Sequence, residues 1–513
     1  MTGHSIPVRQ HISLSWLSAF LTLLIPAAIA VWATSPYVIG VFHDDGVYAL
    51  LARSLASGHG FHYSHIVGTP AATHYPPLYP LLVSVAWRVW PDFPANVSVL
   101  IRVNALLLGI AALGLWYLAV TRASWKSAWA AAAAIACTIS TPTLTLATSL
   151  LSETLFLALL WPALVLGERA AESDDTRAFV GAGVVSGLLM LVRAHAIAVL
   201  AAIILLQLCR ARWRGAIVTA CSAVLTQLPW LAFTAWATPR VAPPLEGAYG
   251  SYLKWFVAGV HEGGAELMIS TVRANAAESW LLLQDRLAAG FPPGVALATL
   301  LIVAVALIGG CVILARRAPV TVAFFILYVA IMLAWPYNPW RFAWAIWPLV
   351  GFLAATGIRE TWLVAGRWRP VVVAVAMLPA FAVLRVELHA YATRAWRGPA
   401  QTATHQITPA LDWIQRNVPP GESVLTEGEP VVALYGDRPA SPPISFTARE
   451  YLSPPGVAEG AARLSEMLRA VPARYVMLLA PTTIESADAL RDRHPGLARI
   501  ASVSGAVAYR VTP

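Results

Sequence analysis

The sequence predicts a mainly α-helical polytopic membrane protein carrying a small α/β domain at its C-terminus. Three observations predict it. Charged residues make up only 12% of the 513 residues, about half of the roughly 25% usual in soluble proteins. Apolar runs of spanning length recur from Trp16 to about residue 386. From 387 onward charge and proline become frequent, and short apolar runs alternate with helical patterns, the signature of a small α/β unit. The expected division is therefore 1–386 for the membrane part and 387–513 for the terminal domain.

The first run, Trp16 to about Gly40, is long enough to span. Ala28-Ile29-Ala30 imitates a signal-peptidase site, but many apolar runs follow, so an uncleaved first helix is expected. Residues 42–95 then form a first outer loop. Two short helices are expected inside it, both too short to span and both lying in the interface. One starts at Asp44-Asp45 and ends at Gly58 and Gly60, with Val47, Leu50, Leu51 and Leu55 on one face. The other runs from Pro77 to Trp90, with Leu78, Leu81, Leu82, Val85 and Val89 on one face.

Further spans fit about 97–120, 127–140, 153–168, 178–193, 195–209, 215–236, 293–315, 319–335, 342–358 and 370–386. The total is about eleven. Basic residues fall in alternate loops: Arg122 and Lys126, Arg169 and Arg177, Arg210 to Arg214, Arg316 and Arg317, and Arg359 to Arg369. By the positive-inside rule those loops and the N-terminus are cytoplasmic, and the C-terminal domain is extracytoplasmic. Residues 178–209 are read as a hairpin turning at Arg193-Ala194-His195, because one long helix would put the Arg210–Arg214 cluster outside. Residues 237–291 are expected as a long outer loop. In the terminal domain, helices at 405–417, 457–470 and 485–493 alternate with strands at 423–426 and 474–480, before a strand pair at 498–503 and 506–511.

The net charge of +9 is spread between apolar runs rather than gathered in one patch, which argues against a nucleic-acid partner. All four cysteines fall in apolar segments, so neither a disulfide nor a cysteine metal site is expected. The chemistry is sought where ionisable groups meet the membrane, since such groups are costly there and usually functional. Asp44 and Asp45 come first. One acid would serve as a helix N-cap, and two exceed what a cap needs. At the same outer level stand Arg102 and Asn104, Ser152 and Glu153, Arg193 and His195, and Arg341 within Trp335-Pro336-Tyr337-Asn338-Pro339-Trp340-Arg341. Singly, each is also explained by snorkelling or capping. Together they place both charge signs on one side of the bilayer, which suits an anionic lipid head group. Histidines 59, 62, 65 and 74 lie in a glycine-broken segment that collects them on no helix face, so no zinc site is expected. A divalent ion at Asp44 or Asp45 is the more reasonable metal, since hard cations take carboxylates. No cofactor is otherwise expected.

The acidic pair after the first span, the Tyr48–Gly60 helix and Tyr75-Pro76-Pro77-Leu78-Tyr79-Pro80-Leu81-Leu82 together resemble the GT-C superfamily of membrane glycosyltransferases. The nearest likeness is to the branch of protein O-mannosyltransferases, aminoarabinose transferases and lipopolysaccharide-core glycosyltransferases. Ser152-Glu153-Thr154-Leu155-Phe156 and the Arg341…Pro348 pairing look like that group too. The resemblance covers about 16–386. It implies a polyprenyl-phosphate sugar as donor, Asp44 as the catalytic acid residue and Asp45 as its acidic neighbour. Several relatives place Lys before Pro-Pro to reach the lipid phosphate; here Tyr75 stands there, with His74 beside it. Lysine occurs only at Lys126 and Lys254. Phosphate binding is then expected of Arg193 and Arg341, with His74 and Arg102 next, and substrate contacts of Glu153, Tyr75 and His195.

The chemistry fits on its own terms. A glycan, lipid or protein hydroxyl attacking the anomeric carbon needs a carboxylate base within reach. The departing phosphate needs cations where charge develops. One base without a second nucleophile implies inversion. The expected place is the outer face of the plasma (inner) membrane. Two other classes stay open at this point: a transporter or lipid flippase, and a non-catalytic envelope assembly protein. Transporters usually hold ionisable groups near mid-membrane and show internal repeats; here the charges cluster at helix ends and no repeat is visible.

Overall fold

A computed structural model describes residues 15–512. Residues 1–14, at the start of the expected membrane part, lie outside the described residues. The chain is mainly helical to residue 417, and the small sheet follows. Among the described residues six helices are long and apolar enough to cross a membrane: Trp16–Ala33, Val97–Thr121, Glu153–Glu172, Trp213–Trp236, Pro293–Arg317 and Gly366–Thr393. A seventh is the pair Ser127–Thr138 and Thr141–Ala147, if its 68° bend is counted as one broken span. The rest of the expected eleven coincide with shorter or more polar helices, Thr176–Met190, Ala194–Cys209, Pro319–Ala334 and Trp347–Val364. The outward residues of the long helices are apolar: Leu225, Leu228, Val305, Ile308, Val312, Val373 and Met377 are all more than half exposed or close to it. That belt is what lipid-facing helices present.

The charged ends of the bundle separate cleanly. Arg122 pairs with Glu172 at 2.6 Å, Arg212 donates to Ser173 O and Arg214 to Thr176 Oγ1, and Arg359 donates to Ser124 O. These basic loops therefore share one end. The contacts of Arg212 and Arg214 also bring residue 209 back beside residue 176, as the hairpin at 193–195 requires. Glu153 opens the helix that Glu172 closes, so the opposite end lies about 29 Å away at 1.5 Å per residue. That matches the hydrocarbon thickness of roughly 30 Å.

Three expectations change. Residues 237–291 are mostly helix, not loop: Tyr252–Leu287 runs 36 residues and bends at Gly264. Its stretch from Ala265 to Leu287 is rich in Ala, Leu and Glu, good helix formers. In the first loop, helix Leu78–Val89 buries Tyr79, Val83 and Trp87 and leaves Leu81, Val85 and Val89 exposed. Two apolar faces share it, one for protein and one for the interface. Helix Asp44–Ala56 has Val47 to Ala52 wholly buried, because the C-terminal domain covers the side that the bundle does not.

That domain is a five-stranded mixed sheet in the order β2-β1-β3-β5-β4, with β1 Val424–Thr426, β2 Ala440–Ser441, β3 Tyr475–Leu478, β4 Leu497–Val503 and β5 Ala506–Val511. β1 lies parallel to β2 and β3, while β5 is antiparallel to β3 and β4. Helices Gly398–Asn417, Val457–Ala470 and Pro481–Arg491 match those expected. Helix Glu429–Tyr435 and strand β2 were not expected. That short helix docks onto the first loop: the Tyr435 hydroxyl accepts a hydrogen bond from Ile39 N–H at 3.0 Å. Gly40 and Gly46 permit the approach. A Cβ on Gly46 would meet Pro430 Cβ at 2.5 Å, and one on Gly40 would meet Val431 Cγ2 at 2.8 Å.

Candidate active site

A cavity of about 680 Å³ opens at the end of the bundle away from the basic loops. The first loop, the turn at 193–195, the segment 335–344 and the C-terminal domain all line it. Asp44 faces it from the first turn of helix Asp44–Ala56. Arg341 Nη1 donates to Asp44 Oδ2 at 2.8 Å, and Tyr75 OH donates to Oδ1 at 3.0 Å. Burial alone would raise this carboxyl, but the Arg341 charge, with His43, outweighs it and holds Asp44 well below the usual carboxylate range.

Behind Arg341 sits Glu153, fully buried. Its Oε1 receives Arg341 Nε at 3.0 Å and Nη2 at 2.8 Å, and Arg193 Nη1 at 2.9 Å. One carboxylate thus ties two arginines to one spot, and Arg341 spans from it to Asp44. Ser152 makes no cap bond for its helix; its hydroxyl lies 3.1 Å from Tyr48 OH and accepts from Arg193 Nη1 at 3.2 Å. The acid and its preceding serine serve the arginines rather than the helix end.

His43 is the residue that the sequence did not single out. It sits at φ 62° and ψ −65°, with Asp44 N–H donating to Phe42 O at 2.8 Å. That is the rare, strained form of γ-turn, a conformation costing about 1–3 kcal/mol and concentrated at functional sites. The turn points the imidazole into the cavity. Its Nε2 lies 2.9 Å from Glu429 Oε1, and its Nδ1 lies 3.3 Å from Tyr75 OH. Burial would lower this imidazole; Glu429 and Asp44 reverse that and raise it to about 10. Glu429 opens the unexpected helix of the C-terminal domain, so that domain contributes directly to the cavity.

The other expected residues divide. Tyr75, His74, His195, Arg193 and Arg341 line the cavity with Asp44. Asp45 does not. It is fully buried, and its two oxygens accept from Gly40 N at 2.9 Å and Phe42 N at 3.0 Å. Burial raises its pKa to about 6 against those bonds. Arg102 is exposed on helix Val97–Thr121 and lies outside the cavity wall. Asn104 is buried and accepts from Tyr79 OH while donating to Ser149 O and Leu151 O. His74 Nδ1 bonds Gly250 O at 2.8 Å, and burial lowers its pKa to about 4, so it brings no positive charge to a phosphate. His195 packs on Phe342 with centroids 4.5 Å apart. Among the described residues no group of three or more His, Cys, Asp or Glu side chains is placed to hold a metal.

Comparison with known proteins gave one kind of likeness. Scans against protein-family models and curated proteins found no match. Among solved structures, the chain is similar to ArnT from Cupriavidus metallidurans in the apo state, with 12% identity over 96% of this chain and 98% of that one, at a TM-score of 0.47. At that identity and score the likeness concerns the overall course of the chain. What the cavity can do has to follow from its own side chains.

Proposed function

We propose that the protein transfers a sugar from a polyprenyl-phosphate donor to an acceptor hydroxyl, with inversion, and with Asp44 as general base. One observation carries this: a carboxylate open to the cavity lies in contact with an arginine that a buried acid holds in place. In the reaction the acceptor oxygen bonds to the anomeric carbon as the bond from that carbon to the phosphate oxygen breaks. The acceptor proton passes to Asp44, and the bonding pair leaves with the phosphate. In this reading Arg341 and Arg193 stabilise that developing charge, since arginine can grip a phosphate through two parallel hydrogen bonds.

Asp44 at rest is a weak base, because Arg341 stabilises its charged form. A donor phosphate that takes the Arg341 Nη1–H away from Asp44 raises the basicity of the carboxylate as the substrate arrives. The aromatic side chains Trp335, Tyr337, Trp340 and Tyr252 line the same cavity and suit an isoprenoid chain or a sugar face. The clustering of ionisable groups at one end of the bundle supports an enzyme over a transport path. Basic loops at the other end support a cytoplasmic N-terminus and an extracytoplasmic site in the plasma membrane. The test is turnover of a panel of synthetic polyprenyl-phosphate pentoses and hexoses by the wild type and by Asp44→Asn in proteoliposomes. Transfer by the wild type alone supports the proposal; equal transfer by both removes it.

A further inference from the structure

Four side chains from three distant segments form one hydrogen-bonded line. It runs from Glu429 Oε1 to His43 Nε2 at 2.9 Å, from His43 Nδ1 to Tyr75 OH at 3.3 Å, and from Tyr75 OH to Asp44 Oδ1 at 3.0 Å. The line has a direction. The Tyr75 hydroxyl proton is spent on Asp44, so the Tyr75 oxygen accepts from His43 Nδ1–H. His43 Nε2–H then donates to Glu429. Both ring nitrogens are donors, which only the imidazolium allows.

The groups facing this ring agree. Tyr249 OH lies 3.4 Å from Nε2 and donates to Glu429 at 2.9 Å. Asp44 Oδ1 lies 3.9 Å from Nδ1. Arg341 stands beyond Asp44, and His65, whose pKa burial lowers to about 3, stands beyond Tyr249. Glu429 is 2% exposed, so its own charge is matched by His43 rather than by water.

We propose that Glu429 is a positioning residue for sugar transfer: through His43 and Tyr75 it fixes the Asp44 carboxylate in its working orientation, so the C-terminal domain completes the active site. This rests on the function proposed above. Tyr75, at the position before Pro-Pro, then contacts the base rather than the phosphate. The line also gives the strained turn at His43 a purpose, since that turn aims the ring between Glu429 and Tyr75.

The experiment compares wild type, Asp44→Asn, Glu429→Gln and His43→Gln in proteoliposomes at pH 6 and pH 8. The probe is the donor from the synthetic pentosyl and hexosyl panel that the wild type turns over fastest. Rates are normalised to folded protein. In Glu429→Gln the imidazole returns toward its ordinary pKa near 6.5. It is then about 76% protonated at pH 6 and about 3% at pH 8, so the loss relative to wild type is about 25-fold greater at pH 8. His43→Gln has nothing to titrate and loses the same factor at both values. Equal loss at both pH values in Glu429→Gln, or none, overturns the inference. Inactive Asp44→Asn beside a flat Glu429→Gln profile leaves the proposed function standing; active Asp44→Asn overturns the function itself. If Glu429→Gln does not fold, Tyr75→Phe breaks the same line. It is expected to lower kcat by about tenfold or more with the donor KM unchanged, and an unchanged kcat overturns the inference.

Discussion

Gly46→Ala tests the seam between the C-terminal domain and the first loop. The new Cβ would lie 2.5 Å from Pro430 Cβ and 2.6 Å from Gly40 Cα. Carbon atoms rest about 3.5–4.0 Å apart, so a neighbour must give by about 1 Å. Gly40 has little room, because its own backbone is at φ 107° against Val431. Pro430 therefore moves, and Glu429 moves with it. The 2.9 Å contact to His43 would open to about 3.9 Å, beyond hydrogen-bond range. Two stability effects oppose each other. Overpacking costs about 1–3 kcal/mol, while Ala in a helix gains about 1 kcal/mol over Gly. The net is a loss of roughly 0–2 kcal/mol. The loss of turnover should be larger, since a misplacement of about 1 Å in an active site costs up to roughly 10²-fold. Thermal unfolding in detergent and transfer from the best panel donor measure both. A raised Tm with wild-type turnover would show that Gly46 is not needed for close packing of Pro430, because helix propensity alone would then account for the site.

Three further predictions follow from the same geometry. Arg341→Lys loses the fork that reaches both Asp44 and Glu153, so donor use should weaken by about tenfold or more, with Ala worse and Arg193→Lys milder; wild-type dependence on donor concentration in both Lys variants would show that the arginines only snorkel. Asp45→Asn should keep turnover within about tenfold per folded molecule while destabilising the loop by roughly 1–3 kcal/mol, because a backbone N–H loses its carboxylate. Asp45 is raised from 3.8 to about 6 on folding, so the folded state holds its proton better; the stability it contributes is greatest below pH 3.8 and falls as pH rises to 6, and that fall should vanish in Asp45→Asn unfolding curves. An alkaline phosphatase fused after Pro513 should be active, because the positive-inside rule assigns basic loops to the cytoplasmic side; an inactive fusion would reverse the topology.

Much of the membrane part was legible because helix period and charge parity are local signals. Trp16–Ala33, Val97–Thr121 and Pro293–Arg317 declare themselves by apolar length alone. Asp44, Glu153, Arg193 and Arg341 were legible because a charge at a helix end beside the membrane is costly. Their pairing was not, since Asp44 and Arg341 are 297 residues apart. Residue type and position alone did not separate Asp44 from Asp45, which only the family resemblance ranked; helical geometry turns one to the cavity and the other under the loop. Glu429 was hidden twice. It begins a helix of only seven residues, too short for a periodic pattern, and its partner His43 lies 386 residues away. Gly46 carried the only local hint, a helix-weakening residue in the first turn after two acids, which fits a close approach by another segment.

The most direct measurement is the stereochemistry and rate of transfer from a defined α- or β-linked polyprenyl-phosphate sugar by the wild type and Asp44→Asn, with the product's anomeric configuration read by NMR. General-base catalysis by Asp44 gives an inverted product from the wild type and a rate about 10²–10⁴-fold lower in Asp44→Asn. A retained configuration, or an Asn variant as fast as the wild type, would contradict it.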